Sequence, residues 1–205
     1  MKKIIVPAEQ YDFTRDSRIL IPFVISEKVG FMNPLGEIVV EPKYIGYRGE
    51  FDTEDSLVIV AQNHLYANER KTAGPVAYCR PKYGLMNSRG EEVVEVKYFS
   101  LSAPMGGSRL YKALNMESQY GAIDELGNEV IPFGKYAYVG TFNRGRAIVK
   151  VYDFEEKKEK WGVIDEEGHE VKPPIYDHIR NFVNQDALWW QEFGEQRPRE
   201  ESVDL

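Results

Sequence analysis

Cysteine is almost missing from this chain. Cys79 is the only thiol in 205 residues, so no disulfide can form within the molecule and its stability must come from burial and backbone pairing. No His or Asn signature surrounds Cys79 to mark it as a nucleophile. Histidine is scarce as well: His64, His169 and His178 show no metal spacing, so no metal role is expected of them. Long apolar runs are absent. The start, Met1-Lys2-Lys3-Ile4-Ile5-Val6-Pro7-Ala8-Glu9, offers only Ile4 to Val6, too short for a signal-peptide core or a membrane span. A soluble cytoplasmic protein of bacterial type is therefore expected, unless a leader has been removed. Positive charge is in deficit, with 26 Lys and Arg against 33 Asp and Glu and a formal net charge of −7. That balance opposes phosphate backbones and argues against nucleic-acid binding. Neither a G-x-G-x-x-G nor a G-K-[ST] spacing occurs, so no nucleotide loop and no cofactor is expected. Helix signals are nearly lacking too; the best candidate, Asp153 to Lys160, reads as a solvated hairpin tip.

What the chain does have is one phrase written four times: Val29-Gly30-Phe31-Met32-Asn33-Pro34-Leu35-Gly36, Tyr83-Gly84-Leu85-Met86-Asn87-Ser88-Arg89-Gly90, Tyr120-Gly121-Ala122-Ile123-Asp124-Glu125-Leu126-Gly127 and Trp161-Gly162-Val163-Ile164-Asp165-Glu166-Glu167-Gly168. Each copy reads as a β-hairpin. Asn33, Asn87, Asp124 and Asp165 open a turn in which a short acceptor side chain bonds the backbone N–H two residues on. The second glycine of each copy takes the left-handed conformation that closes a type I turn with a G1 bulge. The first glycine lies inside a strand, where it marks the close approach of a neighbouring aromatic or backbone.

Each unit continues with a tyrosine element (Glu41-Pro42-Lys43-Tyr44, Glu95-Val96-Lys97-Tyr98, Pro132-Phe133-Gly134-Lys135-Tyr136, Pro173-Pro174-Ile175-Tyr176) and then another strand, as in Phe142-Asn143-Arg144-Gly145-Arg146-Ala147-Ile148-Val149. With Lys160-Trp161-Gly162-Val163-Ile164-Asp165, this pattern resembles the WG (KWG) repeat family. The other units carry Val29, Tyr83 and Tyr120 in place of tryptophan. The resemblance implies a β-repeat fold and brings no shared activity or catalytic residue set.

The expected architecture is all-β: tandem three-stranded antiparallel meanders at roughly 19–41, 56–96, 109–132 and 146–172, within one domain over 1–191, followed by a polar tail over 192–205. The repeated glycines Gly30, Gly84, Gly121 and Gly162 stand 54, 37 and 41 residues apart, a range that suits propellers and solenoids. Segments 3–6 and 187–190 are left over as terminal strands. If they meet, the array closes in a propeller-like ring; otherwise it is an open β-solenoid.

Candidate contacts for a partner or ligand fall in two groups. Tyr44, Tyr98 and Tyr136 follow lysines at equivalent places, so they either ring a pocket or plug between units with each hydroxyl on a loop carbonyl; the structural role is favoured because scaffolds obey a repeat whereas sites depart from it. His64 and Tyr66 lie in the long second-unit insertion, Ala61 to Pro81, and Trp189 and Trp190 are adjacent, so one of them can face outward. Glu37, Glu92, Glu129 and Glu170 recur as hairpin positions and read as solvated strand faces. The reading is a non-enzymatic interaction module that presents a loop face to a protein or peptide partner, with basic partners favoured by steering. The alternative is a small-ligand or carbohydrate-binding protein using aromatic side chains. A hydrolase with paired carboxylates comes third, since it needs two acids at a cleft that break the repeat. No catalytic residue, no cofactor and no membrane partner is expected.

Overall fold

Fifteen strands form four antiparallel sheets in this computed structural model, which describes residues 20–51, 53, 55–66 and 78–179; at 64–66, 78 and 79 only the backbone is described. Sheet one holds β1 (Ile21–Ile25), β2 (Lys28–Met32) and β3 (Ile38–Tyr44). Sheet two holds β4 (Gly46–Arg48), β5 (Leu57–Tyr66), β6 (Tyr78–Asn87) and β7 (Glu92–Tyr98). Sheet three holds β8 (Ser100–Ser102), β9 (Tyr111–Leu114), β10 (Tyr120–Ile123) and β11 (Glu129–Tyr136). Sheet four holds β12 (Tyr138–Val139), β13 (Arg146–Asp153), β14 (Lys158–Asp165) and β15 (Glu170–Tyr176). No helix occurs among the described residues, and none is therefore long and apolar enough to cross a membrane.

The expected meanders are present, and three of them carry an additional short strand. The chain leaves each sheet just after the tyrosine element and enters the next through one residue. Ile45, Phe99 and Ala137 make those crossings, donating their N–H groups to the carbonyls of Ala61, Leu114 and Lys150 at 2.8, 2.9 and 2.9 Å. Strands β4, β8 and β12 then pair with the first long strand of the following meander. The leftover segments 3–6 and 187–190 lie outside the described residues.

The strand-interior glycines are explained by their partner strands. In sheet one the register passes from Val29↔Tyr44 to Phe31↔Val40, so three residues of β3 bulge opposite Gly30 alone. A Cβ on Gly30 would stand 2.7 Å from the Val40 carbonyl oxygen and 2.9 Å from the Pro42 nitrogen. The tyrosine element is thus a bulge, and glycine is what lets it fold inward.

The four hairpin turns are copies of one another. Asn87 Oδ1 accepts from the Arg89 and Glu91 amides at 3.0 Å each, while Gly90 closes the turn at φ +81°. The second of these bonds, to the residue four on, exceeds the expectation from sequence. Because Asn87 is buried, Asn87→Ala strands two amides, and we expect a loss of about 1–2 kcal/mol in urea unfolding. A variant as stable as the parent would show that water replaces the carboxamide freely.

Three apolar cores lie between consecutive sheets. Phe31, Tyr44, Val58, Val60 and Met86 fill the first; Ile59, Leu85, Val94, Leu101 and Ile123 the second; Ile131, Phe142, Val149 and Ile164 the third. Strand β5 shows the logic: Val58 and Val60 point back to sheet one while Ile59 points forward to sheet three, as the two-residue period requires. Inner sheets contribute buried residues to a core on each face, as Ile59 and Val60 do from neighbouring positions of β5.

One expectation needs correction and another needs extending. The second-unit insertion is not one long loop: β5 and β6 continue as a paired ribbon to Tyr66↔Tyr78. Glu92 is exposed on its strand as expected, but it has a further role that the pattern did not show: its carboxylate receives the Tyr44 hydroxyl of the preceding sheet at 2.6 Å.

Candidate functional site

Each recurring tyrosine lies between two sheets. Tyr44, Tyr98 and Tyr136 are buried, leaving 0%, 6% and 3% of their surface exposed. Their rings plug the junctions, as the structural reading holds, but the hydroxyls do not seek loop carbonyls. Tyr44 donates to Glu92 at 2.6 Å and Tyr136 to Glu170 at 3.3 Å, each time to the glutamate of the next unit. Lys43, Lys97 and Lys135 place their ammonium groups 5.0, 5.7 and 5.0 Å from the centroids of the tyrosine rings beside them. Burial, then the Glu129 and Glu95 charges, pushes the Tyr98 hydroxyl above its usual range.

The other named residues are placed differently. His64 and Tyr66 sit on the β5–β6 ribbon opposite Arg80 and Tyr78. Trp189 and Trp190 lie outside the described residues. His169 is exposed, with its Nδ1 3.3 Å from Asp165 Oδ2. Asp165, Glu167 and His169 bring three ligand-type atoms within 4.8 Å of one another. That grouping is the hairpin turn itself, since Asp165 Oδ1 accepts the Glu167 and His169 amides.

A second cluster escaped the sequence reading. Lys112 Nζ lies 5.2 Å from the Tyr120 ring centroid and 4.5 Å from that of Tyr138, and donates to the Tyr138 hydroxyl at 3.3 Å. Lys150 Nζ lies 5.5 Å from the same Tyr138 ring and 4.3 Å from Trp161, and pairs with Glu159 at 2.8 Å. Trp161 in turn meets His178 at 4.6 Å. Rings and ammonium groups thus alternate from sheet three to sheet four, all partly buried except the exposed His178. Each contact of this kind is worth about 0.5–1 kcal/mol near a surface, so the stack is held in place without being locked.

The stack borders the ends of the sheets where the first two long strands of each unit join. There the turns break the glycine rule. Asn115 Oδ1 accepts the Glu117 and Gln119 amides, the same turn as at Asn87, yet Ser118 holds the closing position at φ +61°. The tip at 154–157 uses Lys157 at φ +53°, and the β1–β2 turn uses Ser26 and Glu27 at φ +49° and +62°. At the opposite end of every sheet, Gly36, Gly90, Gly127 and Gly168 occupy the equivalent positions. Beside the fourth tip, Tyr152 and Phe154 stay 45% and 82% exposed while their rings meet edge to face at 5.0 Å. The tip is the solvated hairpin end expected of Asp153 to Lys160, with residues 154–159 all exposed, and it carries an apolar pair besides its charges.

The sequence model of the WG containing repeat matches residues 30–63, 120–153 and 161–188. The chain carries WG repeats, and the unit around Tyr83-Gly84, outside the matched segments, repeats their geometry in sheet two. Among curated proteins and among solved structures, neither comparison gives a significant match.

Proposed function

We propose that this WG-repeat chain is an interaction module whose working surface is the hairpin-tip end of its sheets, directed at a protein or peptide partner. One observation carries the reading. A left-handed turn position suits glycine, and a residue with a Cβ costs about 1 kcal/mol or more there. Glycine closes all four repeat turns at one end, where Arg144 at φ +51° is the single left-handed residue with a side chain among the described residues, whereas Ser26, Glu27, Ser118 and Lys157 stand in such positions at the other. Side chains are kept there against backbone preference, which is how a surface reads when its side chains are used. The exposed Tyr152–Phe154 pair gives that surface an apolar anchor of the kind that dominates protein contacts.

Carbohydrate stacking is the weaker alternative, because Lys112 and Lys150 already lie over the rings of Tyr120, Tyr138 and Trp161. The test is affinity capture from the native host with wild-type protein, with Tyr152→Ser/Phe154→Ser, and with Leu35→Ala/Leu126→Ala at the opposite turns. Wild type and the Leu pair should retain the same partner, and the Tyr–Phe pair should lose at least tenfold of it. Absence of any partner above background, or loss only in the Leu35/Leu126 variant, would sink the proposal.

A further inference from the structure

Lys112 stands where the repeat calls for an apolar side chain. Cross-strand register makes Ile59, Lys112 and Ile148 equivalent, opposite Leu85, Ala122 and Val163 respectively. Sheet three alone places a cation there, and it pairs that cation with the smallest of the three partners. The neighbouring group departs as well: the residue in the place of Gly46 and Ser100 is Tyr138 in sheet four. A scaffold position would follow its copies, and these two do not.

Their chemistry converges on one point. Lys112 makes no ion pair among the described residues, whereas Lys150 in the same stack is neutralised by Glu159. The ammonium is held between two rings and partly buried, where an opposite charge interacts more strongly than in open water. Because the Tyr138 hydroxyl accepts from Lys112, its own proton is free to donate outward. Two donors 3.3 Å apart can each serve one oxygen of a single carboxylate. A monoanion balances the one unneutralised charge; a phosphate carrying nearly two would leave negative charge in a stack of aromatic rings.

We propose that Lys112 and Tyr138 form a carboxylate-binding site for an acidic peptide segment. This deepens the interaction-module reading and gives the partner a local acidic feature although the whole chain is itself acidic. Its failure would leave the broader reading intact, because that reading is tested at Tyr152 and Phe154.

The experiment is a titration of the full chain followed by 1H–15N spectra, with four probes at constant ionic strength. They are acetyl-Leu-Glu-Leu-amide, the same peptide with Gln for Glu, acetyl-Leu-Gln-Leu with a free C-terminus, and inorganic phosphate. Saturable shifts at the amides of 112, 120 and 138 are expected with a carboxylate peptide and not with the neutral one. The first and third probes separate a side-chain carboxylate from a terminal one. Lys112→Met keeps the stem and should weaken binding at least tenfold, Lys112→Arg should stay within a few-fold, and Lys97→Met should change nothing. Should Lys112→Met lose its native melting transition, Tyr138→Phe serves instead, with an expected three- to tenfold weakening. Equal shifts with the neutral peptide, no binding of either carboxylate, tighter binding of phosphate, or affinity untouched in the folded variants would each overturn the assignment.

Discussion

Gly84→Ala is expected to unfold the molecule or to lower its stability by about 4 kcal/mol or more, among the largest effects of any single methyl group in the chain. A Cβ at Gly84 would run into the carbonyl oxygen of Val94 and come within 2.8 Å of the Glu95 carbonyl carbon and the Val96 nitrogen. All three are backbone atoms of β7, so no side chain can swing aside. Nor can the strand retreat, because Tyr83↔Tyr98 and Leu85↔Val94 pin the bulge on both sides while Leu85, Val94 and Tyr98 are packed into the second core. Gly46→Ala is the matched control. Nothing lies within 4 Å of its Cβ and its φ is not left-handed, so that variant should stay within about 0.5 kcal/mol of the parent or gain slightly. Urea unfolding of the two proteins decides it. Coincident curves would mean that the bulge yields, and that the repeated glycine reflects something other than strand approach.

How far the sequence could be read follows from the same residues. A glycine at a fixed offset from an Asn or Asp acts over a few residues, so the hairpins, their turns and the strand-interior approach at Gly30, Gly84, Gly121 and Gly162 were legible. Crossings such as Ile45 were not, since one extended residue between two extended segments leaves no mark in composition. The partners of Glu92 were hidden for a different reason. Its pairing with Tyr44 depends on how one sheet packs on the next, and local alternation reports only that a strand has a polar face. Tyr152 and Phe154 were masked by the lysines and glutamates around them. Lys112 was recoverable in principle: aligning the first long strand of each unit sets Ile59, Lys112 and Ile148 in one column, and the exception is visible there. Finding it required the strand register, and a length of connection that differs from unit to unit conceals that register.

Glu92→Gln and Tyr44→Phe should each lower stability by about 1–2 kcal/mol at pH 7, and the double variant by less than the total of the two. The Tyr44 ring is wholly buried between sheets one and two, and the Glu92 carboxylate takes its proton-bearing oxygen at 2.6 Å while also receiving Lys43 Nζ at 2.7 Å. Burial pushes the Glu92 carboxyl up, yet the hydrogen bonds from Lys43 and Tyr44 and the Lys43 charge outweigh it and hold the group below its ordinary value of 4.5. A depressed carboxyl stabilises the fold above the unfolded-state value and loses that contribution as pH falls through the folded one. The gap between wild type and Glu92→Gln should therefore be full at pH 7 and close progressively below about pH 4.5. The alkaline limb has the opposite origin. Burial first, then the bond to Glu92 and its charge, raises the Tyr44 hydroxyl above its ordinary 10.0, so the folded state resists ionisation that the unfolded chain undergoes. Stability from that group is complete below pH 10 and declines above it, and Tyr44→Phe should remove this part of the decline. A Glu92→Gln difference that stays constant from pH 7 to pH 3 would show that the carboxylate is screened by water and does not couple the two sheets.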